Sequence, residues 1–199
     1  MIVEIALMLS IIVVFAFVGP ILVEKGKAYF DGQDCQTSID RAIQLHQAAT
    51  VFSSKITCPT QEYSFAGTDD QIKASVADAL EKCWSRWHEG TTSAFSGDGV
   101  FCDVCARFAA SGNKKITGMH QYLRDTPAKK GGSLYDYLST PAGEIKTAVP
   151  DTFTTDKQQA VVFTYLQYVD SGVSGAGVRF SRHDEGWSTS CTAYPISQQ

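Results

Sequence analysis

Asparagine is almost missing from this chain. Among 199 residues there is one, Asn113, and Lys114 and Lys115 follow it. No N-x-S/T acceptor therefore exists for N-linked glycans. Positive charge is thin and scattered: Lys+Arg total 17 against 21 Asp+Glu, a net −4. The densest basic runs are the pairs Lys114–Lys115 and Lys129–Lys130. A nucleic-acid binder shows a concentrated basic face, so no nucleic-acid partner is expected.

Several enzyme signatures are absent as well. The histidines are His46, His88, His120 and His183. None belongs to H-E-x-x-H, because "HEG" and "HDEG" lack a second histidine at the fourth place, which excludes that class of zinc hydrolase. There is no G-x-S-x-G turn and no Walker loop. Gly172, Gly175 and Gly177 lie between two strand-like runs with no helix after them, which argues against a phosphate cradle. His183, Asp184 and Glu185 cluster where a solvated turn is expected. No catalytic residue, metal or cofactor is expected, and the chain is read as a non-enzyme. Internal repeats and low-complexity tracts are also lacking.

What is present begins with a long apolar run. Ile5 to Val23 read "IALMLSIIVVFAFVGPILV", with no charge and one hydroxyl, Ser10. At about 1.5 Å per residue a helix of this length crosses, or nearly crosses, a bilayer core. It is apolar all round, whereas a soluble core helix keeps a polar face. Pro20 after Gly19 predicts a kink near its end. The start, "MIVE", carries no basic residue, and the exit, "VEKGKAYF", offers no small-x-small cleavage site, so the segment is expected to be retained.

Its direction is contested. Lys25 and Lys27 follow the run and no Lys or Arg precedes it, which favours a cytoplasmic C-terminal domain. The cysteines favour the opposite side. A basic leader removed before Met1 would reconcile the two. The segment resembles type IV pilins and their archaeal relatives, whose mature chains begin with an apolar helix bearing an early Glu and a Pro about twenty residues in. Here these are Glu4, one position early, and Pro20. The resemblance implies a helix packed in a filament core, with Glu4 pairing to the α-amine of a neighbouring subunit. The alternative is that Glu4 sits at the headgroup level or against the helix N-terminus. Residues 1–23 are thus expected to meet a membrane or other copies of the chain, giving a homo-oligomer.

Six cysteines follow: Cys35, Cys58, Cys83, Cys102, Cys105 and Cys191. An even count in a membrane-tethered domain predicts a disulfide framework in an oxidising compartment. Proximity suggests Cys35 with Cys58, leaving four cysteines for two further bridges. Cys102 and Cys105 form a C-x-x-C within "GDGVFCDVCARF". A redox C-x-x-C normally opens a helix, and a zinc knuckle needs a second ligand pair. Neither context is present. Val100, Cys102, Val104, Ala106 and Phe108 alternate with Phe101, Asp103, Cys105 and Arg107. In an extended strand residues three apart face opposite sides, so each cysteine is expected to pair elsewhere. A bend between Asp103 and Val104 would restore the redox or metal reading.

The elements read as follows. A helix is expected in "QDCQTSIDRAIQLHQAAT", with Thr37 and Asp40 as its capping box and Ile39, Ala42 and Ile43 facing inward. Pro59 marks "SKITCPTQEYSFAG" as an edge strand or a strand end. The clearest helix is "TDDQIKASVADALEKCWSRWHEG". Thr68 and Gln71 form its capping box, Ile72, Val76, Leu80, Cys83, Trp84 and Trp87 its buried stripe, and Gly90 its stop. "ITGMHQYLRD" and "SLYDYLST" predict short helices. "QQAVVFTYLQYV", "GAGVRFSR" and "EGWSTSCTAYP" predict a C-terminal antiparallel meander, with hairpin chemistry at "RHDEGW". The fold class is α+β: an apolar helix over residues 1–30, then a disulfide-stapled extracytoplasmic domain over 31–199.

The series "ITCPT", "CWSRWHEG", "FCDVC", "YLRDTP" and "LYDYL" resembles a set of membrane-anchored, cysteine-containing surface proteins from archaea. The similarity runs from about Cys35 to Leu138, with Trp87 where that set carries Phe. It implies an archaeal origin and a surface-facing domain, and no activity. The expectation is a structural cell-surface protein, anchored by its N-terminal helix or packed through it into a pilin-like filament. A membrane-tethered thiol–disulfide oxidoreductase using Cys102 and Cys105 is the enzymatic alternative. An accessory subunit of a membrane complex, with its domain inside the cell, is the third.

Overall fold

A computed structural model describes residues 35–44, 56, 58–90, 99–139, 142–143, 148–168 and 173–182. Glu4, Pro20, Lys25, Lys27, His46, His183 and Cys191 lie outside the described residues, as does the apolar run. No described helix is long and apolar enough to cross a membrane.

Residues 35–44 are helical (α1). Ile39 and Ala42 are buried and Ile43 packs against the core, as the periodicity requires. The expected cap is displaced. Helix begins no later than Cys35, so Thr37 lies inside it, and the Ser38 hydroxyl donates to the Cys35 carbonyl at 2.7 Å.

Strand β1, Gln61–Ser64, starts two residues after Pro59 and forms an edge of the main sheet. Helix α2, Asp69–Arg86, follows. Thr68 and Gln71 form a reciprocal capping box, and Asp69 and Asp70 sit in the first turn, where carboxylates favour the positive end of the helix. All six residues of the expected stripe are buried, from Ile72 to Trp87. The helix stops four residues before Gly90. Trp87 is the C-cap and His88–Gly90 form a 3-10 turn.

The chain then enters β2, Gly99–Ala109. β1 and β2 run parallel, with α2 as the crossover between them. The rest of the sheet is antiparallel: β2 pairs with β6, Gln159–Tyr168; β6 with β7, Val173–Arg182; and β7 with β4, Ala142–Gly143. The order is β1-β2-β6-β7-β4. Of the expected meander, β6 and β7 pair antiparallel, in a sheet with one parallel edge; the third run, "EGWSTSCTAYP", and the hairpin at "RHDEGW" lie outside the described residues. Between β2 and β4 come a two-residue strand β3, Lys115–Ile116, and the short helices α3, Met119–Asp125, and α4, Leu134–Ser139. A two-residue β5, Phe153–Thr154, pairs with β3.

One residue of β2 departs from simple alternation. Val104 pairs with Val162 and Ala106 with Val161, so Cys105 is skipped in the register. This is a β-bulge, and a bulge reverses the phase of the side chains beyond it. Ala106 and Phe108 therefore join Phe101, Asp103 and Cys105 on the face covered by α2, rather than standing opposite them. Phe108 becomes a hub there: its ring stacks on Tyr63 at 4.9 Å and Phe65 at 5.2 Å, and meets Phe180 edge-on at 5.7 Å. Trp87 stacks on Phe163 at 4.8 Å and 3°. Aromatic rings at such spacings contribute about 0.5–1.5 kcal/mol per pair beyond their burial.

Candidate functional site

The cysteines of the C-x-x-C separate. Cys105 is bonded to Cys83, near the C-terminal end of α2, with the Cα atoms 5.5 Å apart. Cys35, on α1, is bonded to Cys58, before β1, at a Cα separation of 4.6 Å. Cys102 points to the opposite face of the strand and is half-buried. It too is disulfide-bonded, to a partner outside the described residues. β2 runs from Gly99 to Ala109 with its irregularity confined to the bulge between Val104 and Ala106, and this bulge leaves Cys102 and Cys105 on opposite faces.

A polar cluster lies against the Cys83–Cys105 bridge. Asp103 is buried, and its Oδ2 accepts from Trp87 Nε1 at 3.0 Å. The same oxygen lies 3.9 Å from Arg86 Nη1 and 3.6 Å from Cys105 Sγ. The Sγ contact is no hydrogen bond, because a disulfide sulfur carries no proton. Arg86 Nη1 also donates to the Pro59 carbonyl at 3.4 Å. Burial pushes the Asp103 carboxyl up from its ordinary value; the Arg86 guanidinium and the Trp87 N–H pull it back without cancelling that. Thiol–disulfide exchange needs an attacking thiolate to reach a sulfur. Here Cys83 is 0 % and Cys105 3 % exposed, so the bridge acts as a brace between α2 and β2.

The turn after α2 is strained. His88, Glu89 and Gly90 all have positive φ, at 48°, 55° and 67°. Only glycine takes that region freely; each of the other two costs about 1–2 kcal/mol. The surroundings hold the turn in place. His88 Nε2 lies 2.8 Å from Asp40 Oδ1 on α1. Glu89 Oε1 accepts from Lys130 Nζ at 2.5 Å and from Tyr137 OH at 2.9 Å. Burial alone would raise the Glu89 carboxyl, but these two donors outweigh it and hold the group below its ordinary range. Burial and the Glu89 carboxylate together push the Tyr137 phenol well above its own. Glu81, one of the few buried charged residues, accepts from the Lys129 backbone N–H at 2.8 Å. Two acids thus clamp the "AKKGG" loop between α3 and α4.

The third feature is a cleft of about 650 Å³ between the end of β7 and the segment 148–154. Ala148 ties that segment to β7, donating to the Val178 carbonyl and accepting from the Phe180 N–H, both at 3.0 Å. Asp151 ties it to α3, its carbonyl accepting from Met119 N–H at 3.1 Å and its carboxylate from His120 N–H at 2.9 Å. His120 Nε2 lies 2.6 Å from the Val149 carbonyl; a carbonyl only accepts, so this nitrogen carries the proton. The buried rings of Phe153 and Phe180 meet edge-on at 5.0 Å in the cleft wall. Arg179 and Ser181 line the cleft from the same side of β7, with Arg179 exposed. Ser181 Oγ is buried with no hydrogen-bond partner among the described residues.

The residues singled out in the sequence do not converge on one centre. His88 and His120 serve as clasps far apart in the chain. No group of three or more His, Cys, Asp or Glu among the described residues is placed to hold a metal. Sequence reasoning passed over Asp103 with Arg86, and Arg179 with Ser181. The first had a visible signal: an acid on a strand face otherwise occupied by Phe101 and Cys105. The second had none, because its walls come from segments distant in the chain. No family model, no curated protein and no solved structure matches this chain.

Proposed function

We propose that the chain is a structural protein of the cell surface, an extracytoplasmic α+β domain carried by the apolar segment at residues 5–23. One observation carries this reading: the Cys83–Cys105 bridge is built into the core, where α2 crosses the sheet. Such a bridge forms and persists in oxidising compartments and is rare where glutathione keeps thiols reduced. The Cys35–Cys58 bridge adds to it, fixing α1 to the entry of β1.

The apolar run supplies the anchor in this reading. Burying a helix of this kind in lipid or in a bundle of its own copies satisfies its surface, and Glu4 then pairs with a neighbouring subunit's α-amine inside a filament.

The test is a disulfide map of the protein trapped by alkylation in intact cells, combined with a membrane-impermeant amine label. The expected result is Cys35–Cys58, Cys83–Cys105 and Cys102 paired with Cys191, the cysteine left over, with surface lysines labelled from outside. Reduced cysteines and unlabelled lysines would place the domain inside the cell and defeat the reading. Electron microscopy of the assembled protein addresses the filament separately: rods with a helical core are expected, and monomers alone would remove the filament while leaving the anchor.

A further inference from the structure

We infer that the chain's own C-terminal segment, residues 183–199, is strapped across the face of the sheet that α2 leaves uncovered, held there by a bond between Cys191 and Cys102. The inference is independent of how the domain is anchored.

The register defines that face. Three rows cross β2, β6 and β7: Cys102–Thr164–Gly177, Val104–Val162–Arg179 and, beyond the bulge, Arg107–Ala160–Ser181. Their side chains point away from α2. Ala160 and Val162 are 0 % and 2 % exposed, yet neither belongs to the core cluster on the α2 side. In the last row Arg107 Nε and Ser181 Oγ are also shut off from water, without a hydrogen-bond partner among the described residues. A bare sheet face would leave a valine and two such polar atoms open to water, so buried positions in adjoining rows mark a covered face.

Two constraints identify the cover. The first is covalent. Cys102 stands on this face and is disulfide-bonded, while the other four described cysteines are joined as Cys35–Cys58 and Cys83–Cys105. Of the six, Cys191 is the one that remains. The second is topological. β6 pairs with β7 along its whole length on one edge. On the other edge Ala142 and Gly143 pair with Ala176 and Gly175, and Ala148 bonds to Val178 and Phe180. The chain leaving β7 at Arg182 therefore has no free edge of that strand to return along, and the α2 face is filled by Trp84, Trp87 and the rings beneath them. The turn at "RHDEGW" instead carries the chain over the other face.

Reach and pattern agree with this path. From Ser181 to Cys102 is about 16 Å, four residues along a strand and two strand spacings across. The nine residues from Arg182 to Cys191 span up to about 30 Å, enough for a turn and a return. In an extended run Cys191 shares its side with Trp187, Thr189 and Ala193, while Ser188, Ser190, Thr192 and Tyr194 take the other. The cysteine side is the more apolar and suits Val104 and Val162; the hydroxyl side suits water.

The full chain, methyl-labelled in a non-ionic detergent, tests this by NMR. Nuclear Overhauser contacts are expected between the Trp187 indole and the methyls of Val104 and Val162. A gadolinium chelate in solution should leave the Val162 methyls as shielded as those of Val178, which face α2. In the double variant Cys102→Ser with Cys191→Ser, chelate relaxation at Val162 should rise several-fold while Val178 stays unchanged, reporting release of the strap from a folded domain. Should that variant fail to fold, the contacts in the natural chain still decide. Absence of Trp187 contacts to these methyls, contacts from them to residues 5–23 or to a differently labelled copy, or Cys102 bonded to a second chain would each overturn the assignment. So would a Val162 that stays shielded in the folded double variant.

Discussion

The two flanks of the sheet are held by different chemistry. On the α2 side, the sheet meets a covalent bridge and a stack of rings: Cys83–Cys105, Trp84 and Trp87 against Phe163, and Phe108 among its neighbours. On the segment 148–154 side, the connection is made by backbone hydrogen bonds and two side-chain clasps, and space remains between the walls. On the first flank the polar groups are turned on one another, Asp103 accepting from Trp87 and lying 3.9 Å from Arg86. The second leaves a cleft of about 650 Å³ with the Arg179 side chain exposed beside it. A braced flank and an open one thus share one sheet, with β6 and β7 spanning both.

The largest effect should come from breaking the ring stack. Phe163→Ala removes the face on which Trp87 stacks and leaves a hole beside Trp84. Large aromatic-to-alanine changes in a core cost about 3–5 kcal/mol. Denaturant unfolding should show that loss. A cost below about 1 kcal/mol would mean the rings are not the main support of this flank.

Next comes the bridge. The double change Cys83→Ser with Cys105→Ser should cost about 3 kcal/mol, the amount expected for a closed loop of this length. Cys35→Ser with Cys58→Ser opens a loop of nearly equal separation and should cost about as much from chain entropy. The Cys83–Cys105 pair should cost the more of the two, because its cysteines are the more deeply buried, at 0 % and 3 % exposed against 0 % and 8 %. Reversal of that order would contradict the contrast drawn between core and periphery. Thermal unfolding of both double variants settles it.

Much of the braced flank is legible in the sequence, and little of the open one. Helix α2 carries its own instructions: Thr68 and Gln71 at one end, and three- and four-residue steps from Ile72 to Trp87. The strands β6 and β7 are equally local, being β-branched and aromatic runs. The bulge at Cys105 is not local. Cys105 and Ala106 are both small and apolar, so alternation alone cannot say which is the extra residue; pairing with β6 decides it. The parallel pairing of β1 with β2 is likewise set by the path of α2 across the sheet. At "HEG", Gly90 announces a left-handed turn, but His88 and Glu89 follow it there only because Asp40, Lys130 and Tyr137 receive them. The cleft depends on four residues of β7 meeting seven residues some thirty positions earlier, and no short motif encodes such a meeting. Separation of Cys102 from Cys105 was readable, since it rests only on strand geometry.

A smaller effect separates two buried or half-buried acids by sign. The Asp103 carboxyl is raised above its ordinary value, so the folded state binds its proton more tightly than the unfolded state does. As pH rises through the window from 3.8 to that raised value, this group's contribution to stability falls. The Glu89 carboxyl is lowered below 4.5, so its contribution is present above that pH and is lost as pH falls through its folded value. Between acid and neutral pH, the stability of the natural chain relative to Asp103→Asn should therefore decline, and relative to Glu89→Gln it should grow. Urea midpoints measured for the three proteins across that range give both slopes. Slopes of the same sign would show that one of the two environments is wrongly described.

The smallest effect belongs to the exposed side of α2 and marks where the brace ends. Lys82 Nζ lies 2.7 Å from Asp78 Oδ2, one helical turn apart, with both side chains more than two-fifths exposed. Tyr63 OH donates to the same carboxylate at 3.2 Å, which links β1 to the helix over the top of the core. Water screens this pair, and holding two long side chains in one geometry costs entropy, so Lys82→Ala should change stability by about 0.5 kcal/mol or less. Salt should erase the difference, because charges at this exposure are screened at moderate ionic strength. A loss as large as that of the disulfide variants would extend the braced region to the surface of α2. The expected near-neutral result confines it to the face where Cys83, Trp84 and Trp87 meet the sheet.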